Sequence, residues 1–265
     1  MSATLAHAGL HVESVGDGPP LVLLHGWAMH SGLFGPLLPA LAERFRVHAV
    51  DLPGHGRSGA AAPDTLDGYV DAVARSIEAR GPLAVLGWSF GGQIALRWAS
   101  RESDRVTRLV LVSTSPRFVA SPDWPHAMAA ATLARFGDDL AADWRQTLSR
   151  FLTLQVQGSD EGRRALALLR HQVFARGDPG RASIATALQV LAAADLRAEA
   201  RSVEAPALVI AGDRDTLAPA VAGAWLAQAM PDARFASIGG AAHAPFLSHR
   251  AAFDRALSGF LDDPA

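Results

Sequence analysis

Leu83-Ala84-Val85-Leu86-Gly87-Trp88-Ser89-Phe90-Gly91 is the stretch that decides the fold. The apolar run reads as a buried strand, and the spacing Gly87-x-Ser89-x-Gly91 places a serine on a sharp turn before a helix expected over about 91–99. Small flanking residues permit the strained backbone that such a turn requires, and the turn lifts the hydroxyl clear of the sheet edge. Free N–H groups and the positive end of the following helix point at the same place. Ser89 is therefore a candidate nucleophile.

A hydroxyl is a poor nucleophile at neutral pH. It needs a histidine to take its proton and an acid to hold that histidine in the right tautomer. Two later apolar runs end in suitable groups: 207–210 leads to Gly212-Asp213-Arg214-Asp215, and 234–238 leads to Gly239-Gly240-Ala241-Ala242-His243. Loops at the carboxyl ends of parallel strands collect catalytic groups, so Asp215 and His243 are the expected partners of Ser89. Asp213 competes with Asp215 but reads as a turn residue, and His249 competes with His243 but falls near the start of a helix. An oxyanion needs donors as well. The backbone N–H of Phe90 is one, and Trp27, in the loop His25-Gly26-Trp27, is the expected source of the other. His25, His55 and Arg57 read as structural.

Outward from this centre, strands are expected at Leu10–Val15, Pro20–Leu24, Arg46–Val50 and Val106–Val112, with a helix over about 66–80. That alternation argues for a mostly parallel α/β sheet flanked by helices. The rhythm breaks at about residue 117. Trp144, Leu148, Phe151, Leu152 and Gln155 recur on one helical face, and 165–174 and 182–194 read as further helices. The expected organisation is a core of residues 1–116 and 206–265 with a helical cap, 117–205, inserted after the sixth strand. Helices are also expected over about 219–230 and 250–261.

Composition excludes several classes. A formal net charge of -2 offers no global attraction to nucleic acid or an anionic membrane. Every basic side chain besides histidine is arginine, which reads as a bias of the source. With no cysteine there is no disulfide framework or thiolate metal site, and the histidines and acids show no metal-ligand spacing. No stretch resembles a signal peptide or membrane span, so a cytoplasmic monomer without metal or cofactor is expected.

Over nearly its whole length the chain resembles α/β-hydrolase fold serine esterases. Narrower segments resemble the pimeloyl-[acyl-carrier protein] methyl ester esterases of biotin synthesis: Leu23-Leu24-His25-Gly26-Trp27, Asp51-Leu52-Pro53-Gly54, Gly87-Trp88-Ser89, Ser121-Pro122-Asp123-Trp124-Pro125, Arg150-Phe151-Leu152-Thr153-Leu154-Gln155 and Ala241-Ala242-His243-Ala244-Pro245-Phe246. The resemblance implies hydrolysis of a methyl ester at the far end of a pimeloyl chain held on acyl carrier protein. It implies substrate contacts at Trp27, Ser89, Phe90, Phe151, Leu152, Thr153, Leu154, Gln155 and His243. Phe90 replaces the leucine expected there, which leaves a backbone donor intact. Family arginines that meet the acidic carrier are matched at Arg150 and Arg163, with Arg145, Arg164 and Arg170 nearby. A general short-chain carboxylesterase, lactonase or cofactor-free perhydrolase shares the same catalytic pattern. A ligand receptor on this scaffold would show no turnover.

Overall fold

The computed structural model describes residues 3–7, 9–177 and 180–262. The outer limits expected for the core, residues 1 and 265, lie outside them, as do Asp178 and Pro179 within the inserted segment. Among the described residues eight strands form one sheet: β1 (Ala3–His7), β2 (Leu10–Val15), β3 (Pro20–Leu24), β4 (Arg46–Val50), β5 (Leu83–Trp88), β6 (Val106–Val112), β7 (Ala207–Gly212) and β8 (Ala233–Ile238). Their order is β1-β2-β4-β3-β5-β6-β7-β8. The first two strands pair antiparallel to their neighbours, and β4, β3 and β5 to β8 run parallel.

Helices α1 (Leu38–Ala42), α2 (Leu66–Ser76) and α3 (Phe90–Arg101) accompany the first parallel strands. Between β6 and β7 come α4 (Ala130–Ala142), α5 (Trp144–Leu154), α6 (Gly162–Val173), α7 (Arg181–Ala193) and α8 (Arg197–Ala200). The chain closes with α9 (Ala220–Ala229), α10 (Pro245–Ser248) and α11 (Arg250–Leu261). No helix among the described residues is long and apolar enough to cross a membrane.

Strand β5 is buried along its whole length because it lies between β3 and β6 under helical cover. That explains its unbroken apolar run, since each fully buried Val or Leu stabilises by roughly 1.5–3 kcal/mol. Leu24 pairs with Gly87 in the β3–β5 register. Chain order reverses direction at this pair of strands, where open α/β sheets leave a crevice beyond the strand ends.

Several boundaries differ from expectation. α2 stops at Ser76, not near residue 80, because Ile77 turns extended (φ -93°, ψ 117°) and buries its side chain. α3 begins one residue early, at Phe90. The alanine-rich α4 and the strand β1 are additional to the elements expected from the sequence. α4 buries only Leu140 fully among its residues, so its apolar stripe is weak in the sequence.

Candidate active site

Ser89 occupies the turn between β5 and α3 with φ 56° and ψ -117°, a strained conformation for a residue with a Cβ. Its N–H donates to Val112 O at 2.9 Å, and its carbonyl accepts from Thr114 Oγ1 at 2.7 Å, so the turn is pinned to the end of β6. The flanking glycines are sterically required. A Cβ on Gly91 would overlap the carbonyls of Leu24 and His25, and one on Gly87 would overlap the backbone of Gly91 and Gly92. The Ser89 hydroxyl is not spent on capping α3.

Asp215 and His243 come together from the ends of β7 and β8. His243 Nδ1 donates to Asp215 Oδ2 at 2.8 Å, and Asp215 Oδ1 accepts the N–H groups of Leu217 and Ala218, each at 2.9 Å. With its proton on Nδ1, the ring keeps Nε2 free as an acceptor. Its backbone is clamped on both sides: His243 N–H donates to Gln155 O at 3.0 Å, and Trp88 Nε1 donates to His243 O at 2.8 Å. The tryptophan beside the serine thus orients the histidine, a role invisible in the motif itself. Asp213 instead accepts the Gly240 N–H at 2.8 Å as a turn residue. His249 bonds Ser248 Oγ at the start of α11, away from the site.

Ser89 and His243 open onto one narrow cavity whose other walls are apolar. Trp27, Phe151, Leu154 and Leu217 form part of its lining. The sequence reading missed Phe118, Met128, Leu133, Phe136, Leu188, Leu191 and Leu217. The signal for Leu133, Phe136, Leu188 and Leu191 was the helical period of α4 and α7, whereas Phe118, Met128 and Leu217 lie outside the helices, where no period marks them. The site's hydrogen bonds hold His243 to Asp215, and none runs from the Ser89 hydroxyl to the ring. Such contacts commonly tighten only around substrate.

The expected substrate segment divides. Phe151 and Leu154 line the cavity, and Phe151 meets Trp27 edge to face with centroids 5.0 Å apart. Leu152 is core, while Thr153 lies exposed and bonds back to Ser149 O. Gln155 is buried with its side-chain amide unpartnered, and its carbonyl is what reaches the site. Phe90 buries its ring against Tyr69, leaving its amide at the first position of α3, where helices have no internal acceptor.

The loop after β3 lies against the serine turn, so that a Cβ on Gly26 would come 3.2 Å from Ser89 Cβ. His25 is structural. Nε2 accepts the Leu52 N–H at 2.9 Å, which leaves Nδ1 to donate to Gly26 O at 2.8 Å. Burial, reinforced by His55, pushes this ring down to about 3. Nearby Asp51 is fully buried. Burial alone would push its carboxyl up; His25, the Arg57 amide, the Arg176 guanidinium and the Ser31 hydroxyl outweigh that and hold it at about 2. His25 is uncharged above its own low value, which leaves Arg176 as the permanent positive charge beside Asp51.

The five arginines considered for carrier docking spread over α5 and α6, and none lines the cavity. Arg145 stacks on Trp144 at 4.6 Å. Arg150 donates to Gln146 Oε1 and lies 3.8 Å from Asp139. Arg163, Arg164 and Arg170 are exposed. Asp160, a possible partner for them, is taken by Arg214.

This sheet and the arrangement of Ser89, Asp215 and His243 are those of the α/β hydrolases, and residues 19–250 match the α/β hydrolase fold family, to which the chain belongs. Within that class it belongs with the pimeloyl-[acyl-carrier protein] methyl ester esterases. The one from Nitrosomonas europaea is 46% identical over 91% of this chain and 95% of its own length. That from Chromobacterium violaceum is 44% identical over 97% and 99%. Among solved structures, bromoperoxidase from Bacillus anthracis superposes with a TM-score of 0.89 over 99% of this chain and all of its own, at 23% identity. That likeness concerns the fold.

Proposed function

We propose that this chain is a serine carboxylesterase that hydrolyses the methyl ester of pimeloyl-[acyl-carrier protein] to pimeloyl-[acyl-carrier protein] and methanol. The observation that carries the chemistry is that Ser89 and His243 open onto one apolar cavity while buried Asp215 holds the histidine from behind. The choice of ester rests on relatives of that name matching over nine-tenths of the chain. In this reading His243 Nε2 takes the Ser89 proton as Oγ attacks the ester carbonyl. The tetrahedral oxyanion is met by the amides of Trp27 and Phe90, and the proton passes to the leaving methoxide. Water, deprotonated by the same nitrogen, then attacks the acyl-serine, and release restores Ser89 and leaves the carboxylate. No cofactor enters these steps.

We read residues 117–205 as the cap that roofs the acyl site, with Phe151 and Leu154 against the chain. Trp27 would wall the site with its ring while its amide faces the oxygen. The slim apolar cavity suits an unbranched chain presented end-on, and a prosthetic arm would reach it past Leu154, which is 37% exposed at the rim. The carrier would meet Arg145, Arg150, Arg163, Arg164 and Arg170 on α5 and α6, since an acidic partner of a chain with net charge -2 needs a local basic surface. A cytoplasmic location goes with this reading.

The test compares specificity constants for the carrier-linked methyl ester and a small p-nitrophenyl ester, with Ser89→Ala as control. The reading requires the carrier-linked ester to be strongly preferred. It also requires Ser89→Ala to lose up to roughly 10⁶ in kcat with thermal unfolding nearly unchanged. Equal constants for the two esters would leave a general esterase, and Ser89→Ala activity within tenfold of the parent would remove the serine from the chemistry.

A further inference from the structure

Hydrogen-bonded ties run from α6, the turn after it and α7 to the loop that carries Trp27, and the chemistry above uses none of them. Trp27 Nε1 donates to Ile184 O at 2.8 Å. His30 Nδ1 accepts the Gly32 N–H, which leaves Nε2 to donate to Gln172 O at 2.5 Å. Arg176, in the turn beyond α6, reaches between the two. Its Nη1 donates to Ser31 Oγ at 2.8 Å and to both Asp51 oxygens, at 2.9 and 3.0 Å, and its Nη2 donates to Glu13 Oε2 at 3.1 Å. The arginine side chain is 9% exposed and Asp51 not at all. Asp51 Oδ1 also accepts the N–H and hydroxyl of Ser31, at 2.8 and 2.7 Å, while Oδ2 accepts the Arg57 N–H at 2.8 Å.

We propose that Arg176 is a positioning residue for the oxyanion hole: by neutralising Asp51 and bonding Ser31 it fixes the loop from His25 to Ser31, and through it the Trp27 amide. The inference rests on the reading of Trp27 as an oxyanion donor. Two observations give it force. Asp51 is a buried carboxylate whose Oδ1 holds Ser31 in place, and without its guanidinium it must recruit water or a proton, either of which competes for that oxygen. The same loop carries Ala28 at φ 57°, a strained angle for alanine that persists only while its surroundings enforce it. Relaxation there would withdraw a donor from a charge that exists only in the transition state. The loss therefore falls on kcat and not on KM. The inserted helices, on this account, roof the site and also hold one of its catalytic amides in register.

The experiment measures kcat and KM on p-nitrophenyl butyrate for Arg176→Met and Arg176→Lys, well below each variant's melting temperature, beside Ser89→Ala. Deleting an oxyanion donor outright costs about 10²–10³, so Arg176→Met is expected to lose about 10–100-fold in kcat with KM within about twofold. Affinity for a trifluoromethyl ketone, whose serine adduct carries the oxyanion, should fall in parallel. Tens of millimolar guanidinium ion, but not ammonium, should restore part of the rate, which general destabilisation would not allow. Folded Arg176→Met with kcat within twofold of the parent overturns the inference. Should Arg176→Met fail to fold, Arg176→Lys decides: one ammonium cannot span Ser31, Asp51 and Glu13, so kcat must fall at constant KM, and a parental kcat refutes the role. If Ser89→Ala retains activity, the active-site reading itself fails. If Ser89→Ala is inactive while both arginine variants match the parent, only the role of Arg176 fails.

Discussion

Replacing Asp215 by asparagine tests how the acid works, because the surroundings dictate which way the new amide must face. Oδ1 of Asp215 accepts two backbone N–H groups, from Leu217 and Ala218, and Oδ2 accepts Nδ1–H of His243. An asparagine can keep the first two bonds only by leaving its carbonyl oxygen in place and turning its NH₂ toward His243. The opposite flip would orphan two buried donors at about 1–3 kcal/mol each. Facing an NH₂, Nδ1 must become the acceptor, and the ring proton moves to Nε2, the atom that has to receive the serine proton. The expected result is a fall of about 10⁴ in kcat, roughly 5.4 kcal/mol of lost transition-state stabilisation. KM should stay within about threefold, since Asp215 does not line the cavity. Steady-state hydrolysis of p-nitrophenyl butyrate reads both parameters, and a melting curve shows that the variant is folded. Asp213→Asn keeps an acceptor for the Gly240 N–H and should lose less than about tenfold. A kcat for Asp215→Asn within tenfold of the parent, or a larger loss at Asp213, would refute the assignment.

Further outcomes follow from particular contacts. Gly212→Ala would drive a Cβ into the carbonyls of Ala241 and Ala242, displacing the loop that carries His243; about 10²-fold should be lost in kcat, and a rate within twofold of the parent would show that the loop tolerates the shift. Burial lowers the folded-state values of His11, His30, His48 and His55, and takes His25 from 6.5 to about 3. Below pH 6.5 the unfolded chain therefore binds more protons than the folded one, and stability must fall with pH. His25 alone accounts for about 2 kcal/mol at pH 5, and a urea midpoint that stays flat from pH 7 to 5 would contradict its buried, neutral state. Converting Arg150 and Arg163 to glutamate should raise KM for the carrier-linked ester and weaken its salt dependence, with a small methyl ester unchanged within about twofold. Equal losses on both esters would assign these arginines to the fold of α5 and α6, and unchanged kinetics on both would remove them from docking.

The sequence by itself determined whatever depends on neighbours along the chain. Apolar runs ending in glycine or aspartate mark where parallel strands stop, and the order Ser89, Asp215, His243 places each group just past such an end. The glycines around Ser89 are legible for the same reason, because the turn they permit spans five residues. Tertiary structure decided what the inserted helices do once they fold back. Gln155 meets His243 through a backbone carbonyl, a group every residue carries, so no side-chain pattern could announce it. Trp88 carries a motif position and a buried indole, yet its bond to His243 O joins residues 155 positions apart. The cavity walls from α4 and α7 look like ordinary core stripes until the sheet beneath them is in place. Arg176 reads as one arginine among many, and only the approach of Asp51, Ser31 and Glu13 from three other segments turns it into a buried charge with a partner. Local sterics and hydrophobic period are written in adjacent residues, whereas burial and pairing of charge depend on which distant segments close over them.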